Sequence, residues 1–328
     1  MPTGSKRAPK TRPLTTYQPA APDAIPRRAL GTTGEYVSAI GLGGYHLGLV
    51  GTEREATEIV HAAIDAGVTF MDNAWDYHDG KSEERLGKAL VGRRDEVFLM
   101  TKVCTHGRDA KVGMRMLEQS LRRLKTDYLD LWQVHEVAYY NDPERHFMKG
   151  GVIEALDKAK QEGKVRFVGF TGHKDPALHL RMLSYDYPFD TVQMPLNVFD
   201  ASFRSFEQQV LPELLRRGIA PIGMKSLGGE GTMVKKKMVT AQEALSYAMS
   251  LPVAVTVSGM DSMRVLRQNL GVARGFKPLG TRAMATLRAR VAEQASDGRF
   301  ELYKTTAKHE GPEGRKQHGF PSPEEAGT

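Results

Sequence analysis

The sequence predicts an α/β chain folded as a (β/α)8 TIM barrel, and three observations carry that prediction. Eight short apolar strand patterns alternate with helical patterns over about 250 residues, the span of one such barrel. The strands are rich in β-branched and aromatic residues without polar alternation, as expected where helices cover one face and a barrel interior the other. A doubly wound sheet usually has fewer strands and a dinucleotide fingerprint, and "GLGGYH" lacks the third glycine of that motif.

Residues 1–27, rich in Pro, Ala, Thr and basic side chains without periodicity, read as a disordered or surface-draped leader. "EYVSAIGLGG" is a short strand ending in glycines, and "TEREATEIVHAAIDAGV" then places Ala56, Ile59, Val60, Ala63 and Ile64 at helical spacing. Thr52 with Glu55 forms a capping box at that helix's start, and Gly67 is its stop. The alternation continues with "VTFMD" before a helix over 82–91, "EVFLMTKV" before 109–124, and "YLDLWQVH" before 151–162. It closes with "VRFVGFTG" before 175–184, "DTVQMPL" before 204–217, "IAPIGMK" before 240–250, and "VAVTVSGM" before 262–273. "PLGTRAMATLRARVAEQ" adds a C-terminal helix. The barrel domain is therefore expected over 28–304, with a polar, loop-like or disordered tail over 305–328.

Composition narrows the function classes. Hydrophobic residues make up 40% and charged residues 26% of 328, ordinary for a globular protein, and no apolar run is long enough for a membrane span. The single cysteine, Cys104, excludes an internal disulfide and a CxxC site, so a reducing cytoplasm is the expected compartment. Most of the +7 net charge sits in the first 30 residues, where Lys6, Arg7, Lys10, Arg12, Arg27 and Arg28 face only Asp23. The rest is nearly balanced and shows no basic stripe interleaved with aromatics, so a nucleic-acid partner is not expected.

Barrel active sites lie where strands end, and here the strands end in Asp72, Lys102, His135, Thr171, Gln193, Lys225 and Gly259. Ionisable residues avoid such semi-buried positions unless paired, so Asp72, Lys102 and His135 on neighbouring strands read as a converging site, with Tyr77 leaning over it from the next loop. An ammonium beside a phenol favours the phenolate and lowers its pKa, a role open to Lys102, with Asp72 holding the lysine in place. His135 then hydrogen-bonds a substrate oxygen. Such a group suits proton delivery to a developing alkoxide as hydride arrives from a nicotinamide. Taken singly, each residue has a structural reading as a cap, a snorkelling lysine or a core histidine; together they read as functional.

"FMDNAWDYHDGKSEERLGKAL", the lysine of "LMTKV", the histidine of "YLDLWQVHEV", and "GKVRFVGFTG" resemble the aldo-keto reductases in order, spacing and context, over roughly residues 28–300. The resemblance implies Tyr77 as general acid, Asp72 and Lys102 as its tuning pair, and His135 as the substrate-orienting group. Family members that reduce carbon–carbon double bonds tend to carry Glu at the His135 position, so carbonyl reduction is favoured. It also implies a nicotinamide cofactor, with Thr171 and Gln193 at the carboxamide. Gly259, Met260, Ser262, Gln268 and Asn269 would hold the adenosine phosphate and adenine, near a helix start where free N–H groups attract phosphate.

Departures from the family pattern are specific. "TGH" replaces the usual "SN" after the fifth strand, leaving His173 as the candidate amide contact. Met224 stands where an aromatic commonly stacks on the nicotinamide, and Lys225 is positioned toward the diphosphate. Asp261 falls near the expected 2′-phosphate and Val265 where a basic residue is common, with Arg264 the compensating candidate; NADPH is still favoured over NADH. His46, His78, His173 and Trp75 are open to pocket-lining or packing roles, whereas Asp76, His78 and Lys81 are expected at the rim or in packing. Cys104 is expected to be a packed loop residue with no partner base.

The expected partner is thus a small carbonyl substrate, with no metal, nucleic acid or membrane. Two rival readings stay open: a nicotinamide-binding regulatory subunit of the same fold, and a metal-dependent barrel hydrolase using His135 and Asp72. "GRFELYKTTAKHEG" is a candidate lid over the barrel mouth. Other motifs fail: "GKS" at 80–82 would need a glycine where Trp75 stands, and "HEVAY" is not HExxH.

Overall fold

The structure is a computed structural model and describes residues 17–18, 21–104, 109–322 and 325. Most of the basic leader, residues 1–16, 19 and 20, and tail residues 323, 324 and 326–328 lie outside the described residues. An antiparallel sheet of β1 (Tyr17–Gln18), β2 (Arg27–Ala29) and β3 (Tyr36–Ser38) precedes the barrel. Eight parallel strands then close on themselves: β4 (Ile40–Gly43), β5 (Phe70–Asp72), β6 (Phe98–Val103), β7 (Leu129–Val134), β8 (Val165–Thr171), β9 (Thr191–Pro195), β10 (Ala220–Met224) and β11 (Val255–Gly259). The predicted barrel is therefore present, with β11 pairing to β4 to complete it.

Burial explains the strand pattern. A continuous core of strand and helix residues, including Leu42, Met71, Leu99, Trp132, Val168 and Val192, fills the layer between barrel and helices. A second cluster fills the N-terminal end of the barrel, where Leu30 and Val37, flanking the first hairpin, join Phe70, Phe98, Met100 and Leu131. Phe98 stacks on Phe70 and Phe167 there, at centroid distances of 5.5 and 6.2 Å. With that end of the barrel interior filled by apolar side chains, Asp72, Lys102 and His135 cluster at the opposite, C-terminal strand ends.

A short helix, Gly44–Leu49, follows β4, and the next, Glu53–Asp65, carries the expected capping box, Thr52 Oγ1 accepting from Glu55 N and Glu55 Oε2 from Thr52 N, with Gly67 at φ 94° after its end. Three local expectations differ. The first strand splits into β3 and β4, because Ser38 exchanges hydrogen bonds with Thr69 and its hydroxyl donates to Ile40 O, interrupting the ladder. The helix expected over 204–217 breaks into Phe206–Gln209 and Leu211–Arg217, since Pro212 starts the second piece and has no N–H to continue the first.

The third difference is the tail. Helix Thr281–Val291 is the expected C-terminal addition, but short helices Leu302–Thr305 and Pro312–His318 follow in a stretch read as largely loop-like. Several of its charged residues meet a counter-charge instead of water, Lys304, Glu310 and Arg315 among them. Lys304 is fully buried and its Nζ donates to Asp200 Oδ1 and Phe203 O, both at 2.7 Å, with Glu301 at 3.1 Å. Arg315 and Lys174 both pair with Glu310 at 2.6 Å.

Removing the ammonium alone leaves Asp200 and Glu301 buried with no cation between them. Lys304→Ala is expected to cost about 3–5 kcal/mol in urea unfolding; a loss under about 1 kcal/mol would mean that Lys304 does not hold this segment.

Candidate active site

β5 delivers Asp72 and β6 delivers Lys102 to the same end of the barrel, where they form a buried ion pair at 2.7 Å with 4% and 1% side-chain exposure. Lys102 Nζ also donates to Asn73 O at 2.7 Å and to the Tyr77 hydroxyl at 3.3 Å. Gln193 Nε2 donates to the same Asp72 oxygen at 3.2 Å. His135 follows β7, its N–H bonded to Val103 O, and its ring stands edge-on to Tyr77 with centroids 5.8 Å apart. The four residues read as a converging set do converge.

Tyr77 is held by the loop after β5. His78, Asp79 and Gly80 take left-handed φ values of 53°, 56° and 88° in succession, a conformation that costs energy for non-glycine residues and needs support from outside. Arg123 supplies it: its guanidinium donates to Trp75 O at 2.9 Å and Glu83 Oε2 at 3.1 Å, and lies where any Cβ at Gly80 would be, 2.2 Å from its Cζ. Glu83 is fixed in turn by Thr101 Oγ1 at 2.6 Å, while Ser82 and Arg85 of helix Lys81–Ala89 donate to the carbonyls of Gly44, Leu47 and Gly48. The local sequence shows none of these supports, because their partners lie on other units of the barrel.

Several expectations need correction. Burial, reinforced by Asp72, Asp76 and Glu136, pushes the Tyr77 phenol well above its ordinary value, whereas Lys102 was expected to lower it. Asp76, expected at the rim or in packing, lies beside His135, with Oδ1 3.3 Å from Nδ1. Cys104 does have a base as neighbour, since its Sγ is 3.3 Å from the same ring nitrogen. Trp75 is directed away from a pocket role, its Nε1 donating to Gln119 and its ring under Arg123. His78 bonds Tyr45 O at the rim, as expected.

The other half of the mouth holds the residues matched to a cofactor. Thr171 and Gln193 are register partners on β8 and β9, and both are buried. Gln193 Oε1 and His173 Nδ1 are buried with no hydrogen-bond partner among the described residues. The other His173 nitrogen bonds Glu136. Met224 ends β10, and Lys225 follows at φ 53°, its ammonium 5.4 Å from the Tyr303 ring centroid and held below its ordinary pKa by burial. A Cβ on Gly259 would meet His46 Nδ1 at 2.1 Å, so only glycine lets this strand end pass the histidine. Met260 is buried; Ser262 caps helix Met263–Ala273, its Oγ accepting from Val265 N. Arg264 and Gln268 are exposed on that helix, whereas Asn269 is buried and donates to Ser258 Oγ.

The C-terminal segment crosses this mouth. Tyr303 OH accepts from Asn197, Thr306 O and Glu310 accept from Lys174, and Tyr139 OH donates to Glu310. Gly311 N donates to Glu136 Oε1 at 2.7 Å, Gln317 to Cys104 O at 3.0 Å, and His318 pairs with Asp142 at 2.8 Å. Residues 303–318 thus bind the loops after β6, β7, β8 and β9, as the lid reading expected.

The aldo/keto reductase family model matches residues 39–239, more than half of the chain and including Asp72, Tyr77, Lys102 and His135. Aldo-keto reductase YhdN of Bacillus subtilis is 34% identical over 200 residues, 56% of either chain. A 6-dehydroglucose reductase of Novosphingobium aromaticivorans is 30% identical over 217 residues, 62% of this chain and 69% of that one. For L-galactose dehydrogenase of Arabidopsis thaliana the figures are 37% over 158 residues, 45% and 49%; the chain spans about half the length of most curated relatives it matches. An aldo/keto reductase from Klebsiella pneumoniae, solved with NADP and acetate, superimposes with a TM-score of 0.63 at 25% identity, covering 82% of this chain and 95% of the other.

Glu136 makes the closed mouth sensitive to acid. Burial opposes its ionisation, but His173, His135 and the Gly311 N–H outweigh that and hold the carboxyl well below its ordinary value of 4.5. Its contribution is therefore complete above pH 4.5 and drains away as pH falls further toward the depressed folded value. Pepsin cleavage within residues 301–318 is expected to increase at about pH 3 relative to about pH 4.5, with a smaller increase in Glu136→Gln. Equal acid sensitivity in the two proteins would remove Glu136 as the anchor.

Proposed function

The chain belongs to the aldo/keto reductase family, and on that footing we propose that it reduces an aldehyde, ketone or sugar carbonyl to the alcohol with a reduced nicotinamide cofactor. The observation that carries this reading is the Lys102 ammonium, held between the Asp72 carboxylate and the Tyr77 hydroxyl. A buried ion pair whose cation also meets a half-buried phenol has little structural economy, since such a pair seldom adds net stability over apolar packing.

The substrate oxygen sits between Tyr77 OH and His135, whose Nδ1 faces Asp76 and Cys104, leaving Nε2 for the oxygen. A reduced nicotinamide, when held by the residues described below, would supply the hydride for the carbonyl carbon. Tyr77 gives its phenolic proton to the oxygen as negative charge develops there. Its raised pKa keeps the phenol loaded at neutral pH, and Lys102 offsets the charge of the phenolate left behind. Asp72 and Asn73 O keep that ammonium in place, and the C-terminal segment limits water at the mouth.

The residues present suit the cofactor. The unpartnered Gln193 Oε1 is matched by a carboxamide N–H, with Thr171 and His173 beside it. Lys225, which has no ion pair among the described residues, suits the diphosphate, and Met224 packs against the ring. The N–H groups at the start of helix Met263–Ala273, with Gly259, Met260 and Ser262, suit a phosphate. Exposed Arg264 suits the 2′-phosphate of NADPH against the opposing charge of Asp261, with Gln268 and Asn269 near the adenine.

Tyr77→Phe is expected to lower kcat by about 10²–10⁴-fold while cofactor binding, read by fluorescence quenching, is retained. Wild-type turnover in that variant would end the proton-donor assignment. The same titration is expected to show NADPH binding more tightly than NADH, with Arg264→Ala narrowing the difference. Equal affinities in the unaltered protein would end the preference assigned to Arg264.

A further inference from the structure

Beside the proposed proton donor lies a second cluster that the reduction chemistry does not use in full. Asp76 from the loop after β5, Cys104 just past β6 and His135 just past β7 bring a carboxylate oxygen, a sulfur and an imidazole nitrogen within 4.8 Å of one another. His135 Nδ1 is 3.3 Å from both Cys104 Sγ and Asp76 Oδ1. Around a tetrahedral zinc ion with bonds of about 2.0–2.3 Å, neighbouring donor atoms stand about 3.3–3.6 Å apart, so both measured edges already fit. Asp76 Oδ1 is buried yet receives no hydrogen bond of good geometry, leaving lone-pair capacity unused.

We propose that Asp76, Cys104 and His135 form a binding site for a thiophilic divalent cation of the zinc type. A carboxylate, a thiolate and an imidazole together favour zinc or cobalt over magnesium or calcium, which prefer oxygen ligands. Binding replaces the Cys104 S–H bond by a metal–sulfur bond and releases the proton to solvent. Burial and Asp76 push the free thiol's pKa well up, and a dication in direct contact supplies the attraction that reverses this. Lys102, the cation on the neighbouring strand position, is already neutralised by Asp72 at 2.7 Å. Side-chain exposures of 17% for Asp76 and 11% for His135 leave a route in. Three protein donors leave the fourth tetrahedral position to water, the pattern of an exchangeable rather than a structural ion.

The chain has one cysteine, which makes the test specific. Chelator-treated full-length protein is titrated with Co²⁺, without substrate or cofactor, and the near-ultraviolet thiolate-to-cobalt charge-transfer band is followed; Zn²⁺ is then added to displace the cobalt. A saturable band at one equivalent, displaced by Zn²⁺, abolished in Cys104→Ser and requiring at least about tenfold more Co²⁺ in Asp76→Asn is the expected result. No band in the unaltered protein overturns the proposal. So does a band of unchanged midpoint in Asp76→Asn, which would mean adventitious binding to the thiol alone. Because the readout needs neither turnover nor cofactor, it stands or falls separately from the proposed carbonyl reduction.

Discussion

A lysine ammonium with 1% of its side chain exposed is the constraint around which the C-terminal end of this barrel is organised. A charge so placed is tolerated only if every donor finds a partner, and the partners here are Asp72, Asn73 O and Tyr77. The residue before it on the same strand performs the complementary task. Successive side chains of a strand face opposite ways, so as Lys102 joins the interior site, Thr101 reaches the helix layer and binds Glu83. Glu83 then holds Arg123, and Arg123 holds the left-handed loop that carries Tyr77. One strand thus sets the ammonium and, through the opposite face, the position of the hydroxyl it meets.

Such a two-sided arrangement explains what was legible in the sequence. The eight strands were visible because burial on both faces leaves continuous apolar runs, and the polar residues ending those runs stood out as exceptions. Asp72, Lys102 and His135 could be read in this way without knowledge of any distance. Asp76 and Cys104 could not. Asp76 lies in a loop whose course depends on Arg123, and Cys104 meets its base only because β6 and β7 are neighbours in register. Both facts are tertiary, and the local sequence around Asp76 and Cys104 contains no trace of them.

The C-terminal segment carried two readings, a lid over 298–311 and a polar, loop-like or disordered tail from 305, and the second departs from the structure for a different reason. "ELYKTTAKHEG" has the composition of a solvated tail, and composition treats each charge as though water were its only partner. Lys304, Glu310 and Arg315 instead find counter-charges within the segment and on the barrel loops, so a polar stretch packs as an ion-pair network. Burial raises the carboxyl pKa values of Asp200 and Glu301 and outweighs the opposing, favourable contact with Lys304.

The order of the chain gives that segment a temporal meaning. Residues 303–318 leave the ribosome after all eight barrel strands, yet they bind the loops following β6, β7, β8 and β9. During synthesis the barrel can therefore close while its mouth still stands open, with the carboxylate of Glu136 lacking the Gly311 N–H that later satisfies it. Any stage at which the strands have paired and residues 303–318 have not yet docked would leave the interior built and the vestibule without its cover.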